Sequence, residues 1–233
     1  ASLYDNQGRY AEAEPLYQRS LTLYEKAFGP EHPEVGVSLK NLAFLYDNQG
    51  HYAEAERLLQ RSLKISEKGF GPEHHEVATN LNNLALLYYK QGRYTESEPL
   101  FIRSLAINEG SFGPEHPIVA INLNNMGLLY NELGRFSEAE PLYKRALAIK
   151  EKISHLEDPD IALVLNNLGV LYINEGRLAE AEPLYKRSLT IFEKAFGPEH
   201  PAVATSLNNL AFLYKVQGRF EEALIASRRS TDI

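Results

Sequence analysis

The sequence predicts an all-α solenoid of about six helix-turn-helix repeats, and three observations predict it. Glycine returns at Gly8, Gly50, Gly92, Gly134, Gly176 and Gly218, each step being 42 residues with no insertion or deletion. Around each glycine the same phrase recurs, as in LNNLALLYYKQGRYTESEPLFIRSLAI from Leu81 and LNNLGVLYINEGRLAEAEPLYKRSLTI from Leu165. Within the phrase, apolar residues fall at helical spacing. A fixed period of roughly 20–50 residues marks an array of units, none of which can bury its apolar face alone. The uninterrupted period therefore replaces the prior of one or two compact domains with a single solenoid over residues 1–233. Its units are approximately 1–32, 33–74, 75–116, 117–158, 159–200 and 201–233.

Each period divides into two helices, here called A and B. In the second unit, helix A is expected from Pro33 to Asn48, because Val35, Leu39, Leu42, Ala43 and Tyr46 form one helical stripe. Gly50 supplies the tight reversal. Helix B then runs from about Tyr52 to Lys68, with Tyr52, Ala55, Leu59, Ser62 and Leu63 as its buried positions. Small residues at 55 and 62 let the two axes approach closely. The linkers between units read FGPEHP from Phe28, Phe112 and Phe196, and FGPEHH from Phe70. Gly-Pro ends helix B. Pro33, Pro117, Pro159 and Pro201 suit a first helical position, which makes His32, His116 and His200 the N-cap residues. The fifth unit carries Asp158, a stronger cap, at that place. Pro15, Pro99, Pro141 and Pro183 lie about five residues into helix B, where each forfeits a hydrogen bond and should bend the axis slightly.

Composition narrows the function. Lys and Arg total 24 against 31 Asp and Glu, a net charge of −7. That balance disfavours nucleic acid and an anionic membrane surface, both of which are bound through cations. No apolar run is long enough to span a bilayer, and no signal-peptide pattern opens the sequence. Without cysteine there are no disulfides or thiolate sites, and no N-x-[ST] sequon occurs; a cytoplasmic setting fits best. The periodic histidines lie a full repeat apart with no HExxH or paired-ligand spacing, so no metal or cofactor is expected. His51, His75 and His155 depart from that period and read as surface residues. No nucleophile elbow, Gly-rich phosphate loop or isolated carboxylate pair points to an enzyme. Glu12, Glu54, Glu96, Glu138 and Glu180 repeat on one side of helix B as a solvated face.

The informative rows lie on the side of helix A away from helix B. At about 100° per residue, Val37, Lys40, Asn41, Phe44 and Asn48 centre opposite the buried stripe. In later units Lys40 and Asn41 become Asn82 and Asn83, Asn124 and Asn125, Asn166 and Asn167, and Asn208 and Asn209. An apolar row of Phe44, Leu86, Leu128, Val170 and Phe212 runs beside them. An amide both donates and accepts, so the Asn rows could hold the backbone of an extended peptide whose apolar side chains enter the apolar row. Equally, one Asn row could bond neighbouring helices together. Specificity would come from the positions that vary at the helix ends: Asp47 and Asn48, Tyr89 and Lys90, Asn131 and Glu132, Ile173 and Asn174, Lys215 and Val216.

The Gly-Arg-Tyr-x-Glu-Ala run at Gly8 to Ala13, with Leu42, Ala43 and Tyr46 before Gly50 and Ala55 after it, resembles the tetratricopeptide repeat. The longer period, the LNNLA phrase, EAEPLY and the FGPEHP linker together resemble the 42-residue repeats of kinesin light chains and related bacterial proteins. The resemblance implies a right-handed superhelix whose concave groove, lined by A helices, binds peptide segments of partner proteins. It implies a cargo- or adaptor-binding scaffold; a self-assembly module, or the regulatory arm of a larger signalling enzyme, are the alternatives. Ala1 to Tyr4 align with Ala43 to Tyr46, and Ile233 falls inside the last helix B, so both terminal repeats are expected to be truncated. Exposed ends of that kind could stack or swap helices in a homodimer.

Overall fold

In the computed structural model, residues 8–153 and 157–233 are described, and they form eleven helices and no strand. The chain divides into two compact units, residues 1–114 and 115–233. The first holds α1 (Tyr10–Phe28), α2 (Pro33–Asn48), α3 (Tyr52–Phe70), α4 (His75–Lys90) and α5 (Tyr94–Phe112). The second holds α6 (Pro117–Glu132), α7 (Phe136–Ile153), α8 (Pro159–Asn174), α9 (Leu178–Phe196), α10 (Pro201–Val216) and α11 (Phe220–Thr231). Even-numbered helices are the A helices and odd-numbered ones the B helices. Within each unit every helix packs on its sequence neighbours, and α8 also touches α6 and α10. The expected truncated first helix A lies at residues 1–7, outside the described residues, as does His155.

Local chemistry sets the helix ends as the sequence requires. The Nδ1 atoms of His32, His116 and His200 accept from the backbone N–H two residues on, at 3.2–3.3 Å, and His74 does the same. Asp158 Oδ1 makes the shorter cap, 2.9 Å from Asp160 N. At the A-to-B turns the chain closes a two-bond Schellman motif: in one example Gly92 N donates to Tyr89 O and Arg93 N to Tyr88 O, each at 2.9 Å. Gly92 has φ of +71°, a conformation open to glycine without steric cost. The helices carrying Pro15, Pro99, Pro141 and Pro183 continue unbroken past them.

Packing follows the predicted stripes. Val35, Leu39, Leu42 and Ala43 of α2 are buried, as are Ala55, Leu59 and Ser62 of α3. Leu63 is only partly buried, and Tyr52 stays 38% exposed. Tyr52 is the first residue of α3, where a side chain leaning toward the N-terminus extends past its own helix and keeps part of its surface open. The small B-helix residue does more than permit close approach: Ser62, Ser104, Ser188 and Ser230 each donate to an A-helix carbonyl, of Gly36, Ala78, Ala162 and Ala204, at 2.7–3.0 Å. At a second close point the A and B residues vary together in four pairs, the last pair, Ala211 and Ser227, departing from the pattern. The A position is Ala43, Ala85, Gly127 and Gly169 where the B position is Leu59, Phe101, Tyr143 and Tyr185. A Cβ on Gly127 or Gly169 would lie 2.6 Å from the facing tyrosine ring. The two glycines are the space those rings occupy.

Successive repeats are joined by a polar staple. Glu56 on α3 accepts from Tyr88 Oη of α4 at 2.8 Å and from Arg93 of the following turn at 2.6 Å, while the Arg93 guanidinium lies 4.0 Å from the Tyr88 ring centroid. Glu140, Tyr172 and Arg177 repeat the arrangement, as do Glu182, Tyr214 and Arg219. Each arginine also grips the glutamate three residues on, in the first turn of the helix it precedes, such as Glu96 or Glu180, so part of the expected solvated glutamate face anchors the staple. Hydrogen bonds from Arg177 and Lys144 hold the Glu140 carboxyl at about 2, and those from Arg219 and Lys186 do the same for Glu182.

Two predictions follow from these joints. Gly169→Ala should destabilise the fold by about 1–3 kcal/mol through overpacking. Adding Tyr185→Leu should recover part of that loss, so that a urea-denaturation cycle yields a coupling of at least about 0.5 kcal/mol; strictly additive losses would contradict the steric account. For the staple, the folded pKa of Glu182 lies below the ordinary value of about 4.3. Its contribution is therefore complete above that value and is lost as pH falls toward 2. The difference in melting temperature between the native chain and Arg219→Gln should accordingly shrink on acidification across that window.

Candidate functional site

The face of the A helices away from the B helices is where the sequence placed its candidate residues. Along the apolar row Phe44 and Phe212 are 57% and 55% exposed, while Leu86, Leu128 and Val170 are half-buried. A large aromatic side chain left this open on a helix whose other face is fully buried has been withheld from the core. Of the first polar row, Lys40, Asn82 and Asn124 are half-buried, Asn166 is buried and Asn208 exposed. Of the second, Asn41 is exposed, Asn83, Asn167 and Asn209 are half-buried and Asn125 is buried. At the helix ends Tyr89 and Ile173 are half-buried, Asn131 is buried, and Lys90, Asn174, Lys215 and Val216 are exposed.

The rows are bonded to one another across adjacent A helices. Asn167 Nδ2 donates to Asn124 Oδ1 at 2.9 Å, and Asn174 Nδ2 to Asn131 Oδ1 at 3.0 Å, so α6 and α8 are tied at two levels. Asn166 Nδ2 reaches Ser206 Oγ of α10 at 3.2 Å. In the first unit the place of the Asn131 and Asn174 pair is taken by an ion pair, Lys90 Nζ to Asp47 Oδ2 at 2.5 Å, and Lys40 Nζ binds Glu76 Oε2 at 2.7 Å. Burial works against the Glu76 carboxylate, but the hydrogen bond and charge of Lys40 outweigh it and hold its pKa below the ordinary range. The amide links are 43 residues apart, one more than the period, so a first-row residue of one helix meets a second-row residue of the next. At the Asn124–Asn167 link both rows therefore contribute to the contact between α6 and α8.

Each unit presents a groove on this face. In the first, Lys40, Phe44, Asp47, Asn83, Leu86 and Lys90 stand around a floor of Ala43, Leu59 and Leu87, enclosing about 510 Å³ open to solvent. In the second, Asn124 and Asn125 line about 570 Å³ with Ala120, Ile121, Leu163 and Val164, and the Lys150–Asp160 ion pair forms one wall. Sequence reasoning passed over Ile121, Leu163, Lys150, Asp160 and Glu76. Ile121 and Leu163 occupy the register of Val37, which pointed outward already in the sequence. Lys150 stands at a position that differs in every repeat, Tyr24, Ser66, Asn108 and Phe192 elsewhere, so the period gave no signal for it. Asn41, Asn208 and Asn209 line neither groove.

Among the described residues no group of three His, Cys, Asp or Glu is placed to hold a metal ion. No described helix is long and apolar enough to cross a membrane. If the amide link contributes as a net hydrogen bond, Asn167→Ala should cost about 1 kcal/mol, whereas Asn41→Ala should change stability by less than about 0.5 kcal/mol; urea midpoints of the two variants test the contrast.

The family model described as tetratricopeptide repeat matches residues 1–68, 76–152 and 160–233. No curated protein matches the sequence. Among solved structures, one from Podosopora anserina described as nearly identical kinesin light chain TPR-like repeats is 27% identical, with a TM-score of 0.72; the match covers 86% of this chain and 95% of that one. BtubC (BKLC) from P. vanneervenii is 24% identical with a TM-score of 0.78, over 97% of this chain and 89% of that one. PilF of Pseudomonas aeruginosa is 17% identical with a TM-score of 0.62, over 96% and 83% respectively. The latter two share the fold.

Proposed function

The chain belongs to the tetratricopeptide repeat family, whose members generally mediate protein–protein interaction, and from that premise we propose that it is a non-enzymatic scaffold binding peptide segments of partner proteins along the outward face of its A helices. The observation that carries this reading is the exposure of Phe44 and Phe212 on the face of their helices opposite the buried stripe. Around the groove that contains Phe44, the polar side chains are already held in place by the Lys40–Glu76 and Asp47–Lys90 pairs. A ligand would meet a preorganised surface, and less side-chain entropy would be lost on binding.

Apolar side chains of an extended or partly helical segment enter beside Phe44 and Leu86 in one unit and between Ile121 and Leu163 in the other. Ion pairs and amides at the groove walls offer hydrogen bonds to its backbone. Neither groove has a strong excess of one charge, so the ligand is neither highly acidic nor highly basic. A short segment should bind with micromolar affinity and a multivalent one more tightly. The 27% identical kinesin light chain repeats support a cargo- or adaptor-binding role of this kind. The unbroken period supports a single functional array over residues 1–233, and the absence of cysteine and of sequons supports a cytoplasmic setting.

Phage display of random peptides on the immobilised chain, followed by fluorescence anisotropy of the selected sequences, tests the proposal. Phe44→Asp or Leu163→Asp should weaken the selected peptides at least tenfold while circular dichroism stays unchanged. A library that yields no binder, or binders indifferent to both substitutions, would remove the groove as the site.

A further inference from the structure

Cations on the B helices recur in two registers that serve the fold. Arg61, Arg103, Arg187 and Arg229 share the first, and each binds a glutamate of the preceding B helix. Lys68, Lys152 and Lys194 share the second and bind Glu31, Glu115 and Glu157 of the linkers. Helix α3 adds two more. Arg57 stands where four other units have proline, and Lys64 stands where the others have Thr22, Ala106, Ala148 and Thr190. Both are exposed, and among the described residues neither has an ion-pair partner.

The four cations of α3 form one line. At about 100° per residue, Arg57, Arg61, Lys64 and Lys68 fall within about 60° of one another, opposite the buried Ala55, Leu59, Ser62 and Ser66. Their i, i+3 and i, i+4 spacing sets like charges side by side, which weakens a helix. Glu25 and Glu31 relieve this at Arg61 and Lys68 alone. Arg57 and Lys64 stay unopposed, about 10.5 Å apart along the axis. Lys64 also borders a depression of about 660 Å³ open to solvent, lined in addition by Pro30, Glu31, Arg61, Ile65 and Lys68.

We propose that this stripe is a second docking surface, on the side of the helix pair away from the groove, for an extended acidic segment of a partner protein. From Arg57 to Lys68 it spans about 17 Å. An extended chain sets alternate side chains about 6.6 Å apart, so three carboxylates at alternate positions reach along the line of cations. Carboxylates border that line on both long sides, Glu25 and Glu31 toward α1 and Glu67 toward α5. A nucleic-acid duplex or an anionic bilayer is wider than the line and would press phosphates against them, whereas a single segment fits between. Stripe and groove lie on opposite sides of the pair, so occupancy of one leaves the other free.

Fluorescence anisotropy of a labelled peptide with four glutamates alternating with serine, titrated with the 233-residue chain at low ionic strength, tests the proposal. Saturable binding is expected, lost as salt rises toward ~0.5 M because exposed charges are screened, and absent for the same peptide with glutamine in place of glutamate. The double variant Arg57→Gln/Lys64→Gln should weaken it at least about fivefold. Lys64→Thr, which restores the residue of two other units at an exposed site, should weaken it to a smaller degree. Circular dichroism verifies that each variant remains folded. Failure to saturate at millimolar chain, equal binding of the glutamine peptide, or binding unaltered in both variants would overturn the proposal. Tighter capture of an oligonucleotide or of phosphatidylserine vesicles, lost in the double variant, would overturn it too, by assigning the stripe to phosphates.

Discussion

Everything in this fold rests on how closely one helix of a pair can approach the other. A helix pair of this length cannot bury a core of its own unless the backbones come near enough for side chains of the next pair to complete it. Here the approach is fixed at two points. At one, a serine hydroxyl of helix B bonds an A-helix carbonyl. At the other, the sizes of facing residues are traded, glycine against tyrosine and alanine against leucine or phenylalanine. The trade conserves the volume of the joint while the residues themselves change, which is the condition for near-identical geometry in non-identical units.

With the pair geometry fixed, each A helix presents its neighbour with the same register, and polar groups can be used repetitively. The glutamate–tyrosine–arginine staple joins repeats through a charge-assisted bond, a hydroxyl and a cation–π contact at once. On the outer face the asparagine links and their ionic equivalents do similar work, and they hold the walls of the grooves. Contacts between repeats and the groove walls therefore draw on the same side chains. An asparagine that gives one N–H to its neighbour keeps a second N–H and a carbonyl lone pair, so a bond between repeats and a bond to a ligand are compatible at one residue.

Against so regular a background, departures carry the information. Lys150 puts a buried ammonium in the second groove where other repeats have tyrosine, serine, asparagine or phenylalanine. His51 stands where five other turns have arginine, so the Tyr46–Glu14 bond there lacks the guanidinium that overlies the equivalent tyrosines.

The sequence by itself determined the period, the helices, their caps and turns, and the face of each A helix that is left outside the core. These follow from local rules: proline and histidine at helix starts, glycine at positive φ, and apolar spacing near the helical repeat, all legible within a single unit. Tertiary structure decided how the outward residues pair. Angles on one helix could not distinguish a ligand row from a bonding row, because the link runs between residue i and residue i+43, a register set by how adjacent A helices pack. It likewise decided that Tyr52 stays partly exposed, that Gly127 and Gly169 exist to admit a tyrosine ring, and that Lys150 closes a groove. Each of these depends on the distance between elements, which the periodicity of one helix does not contain.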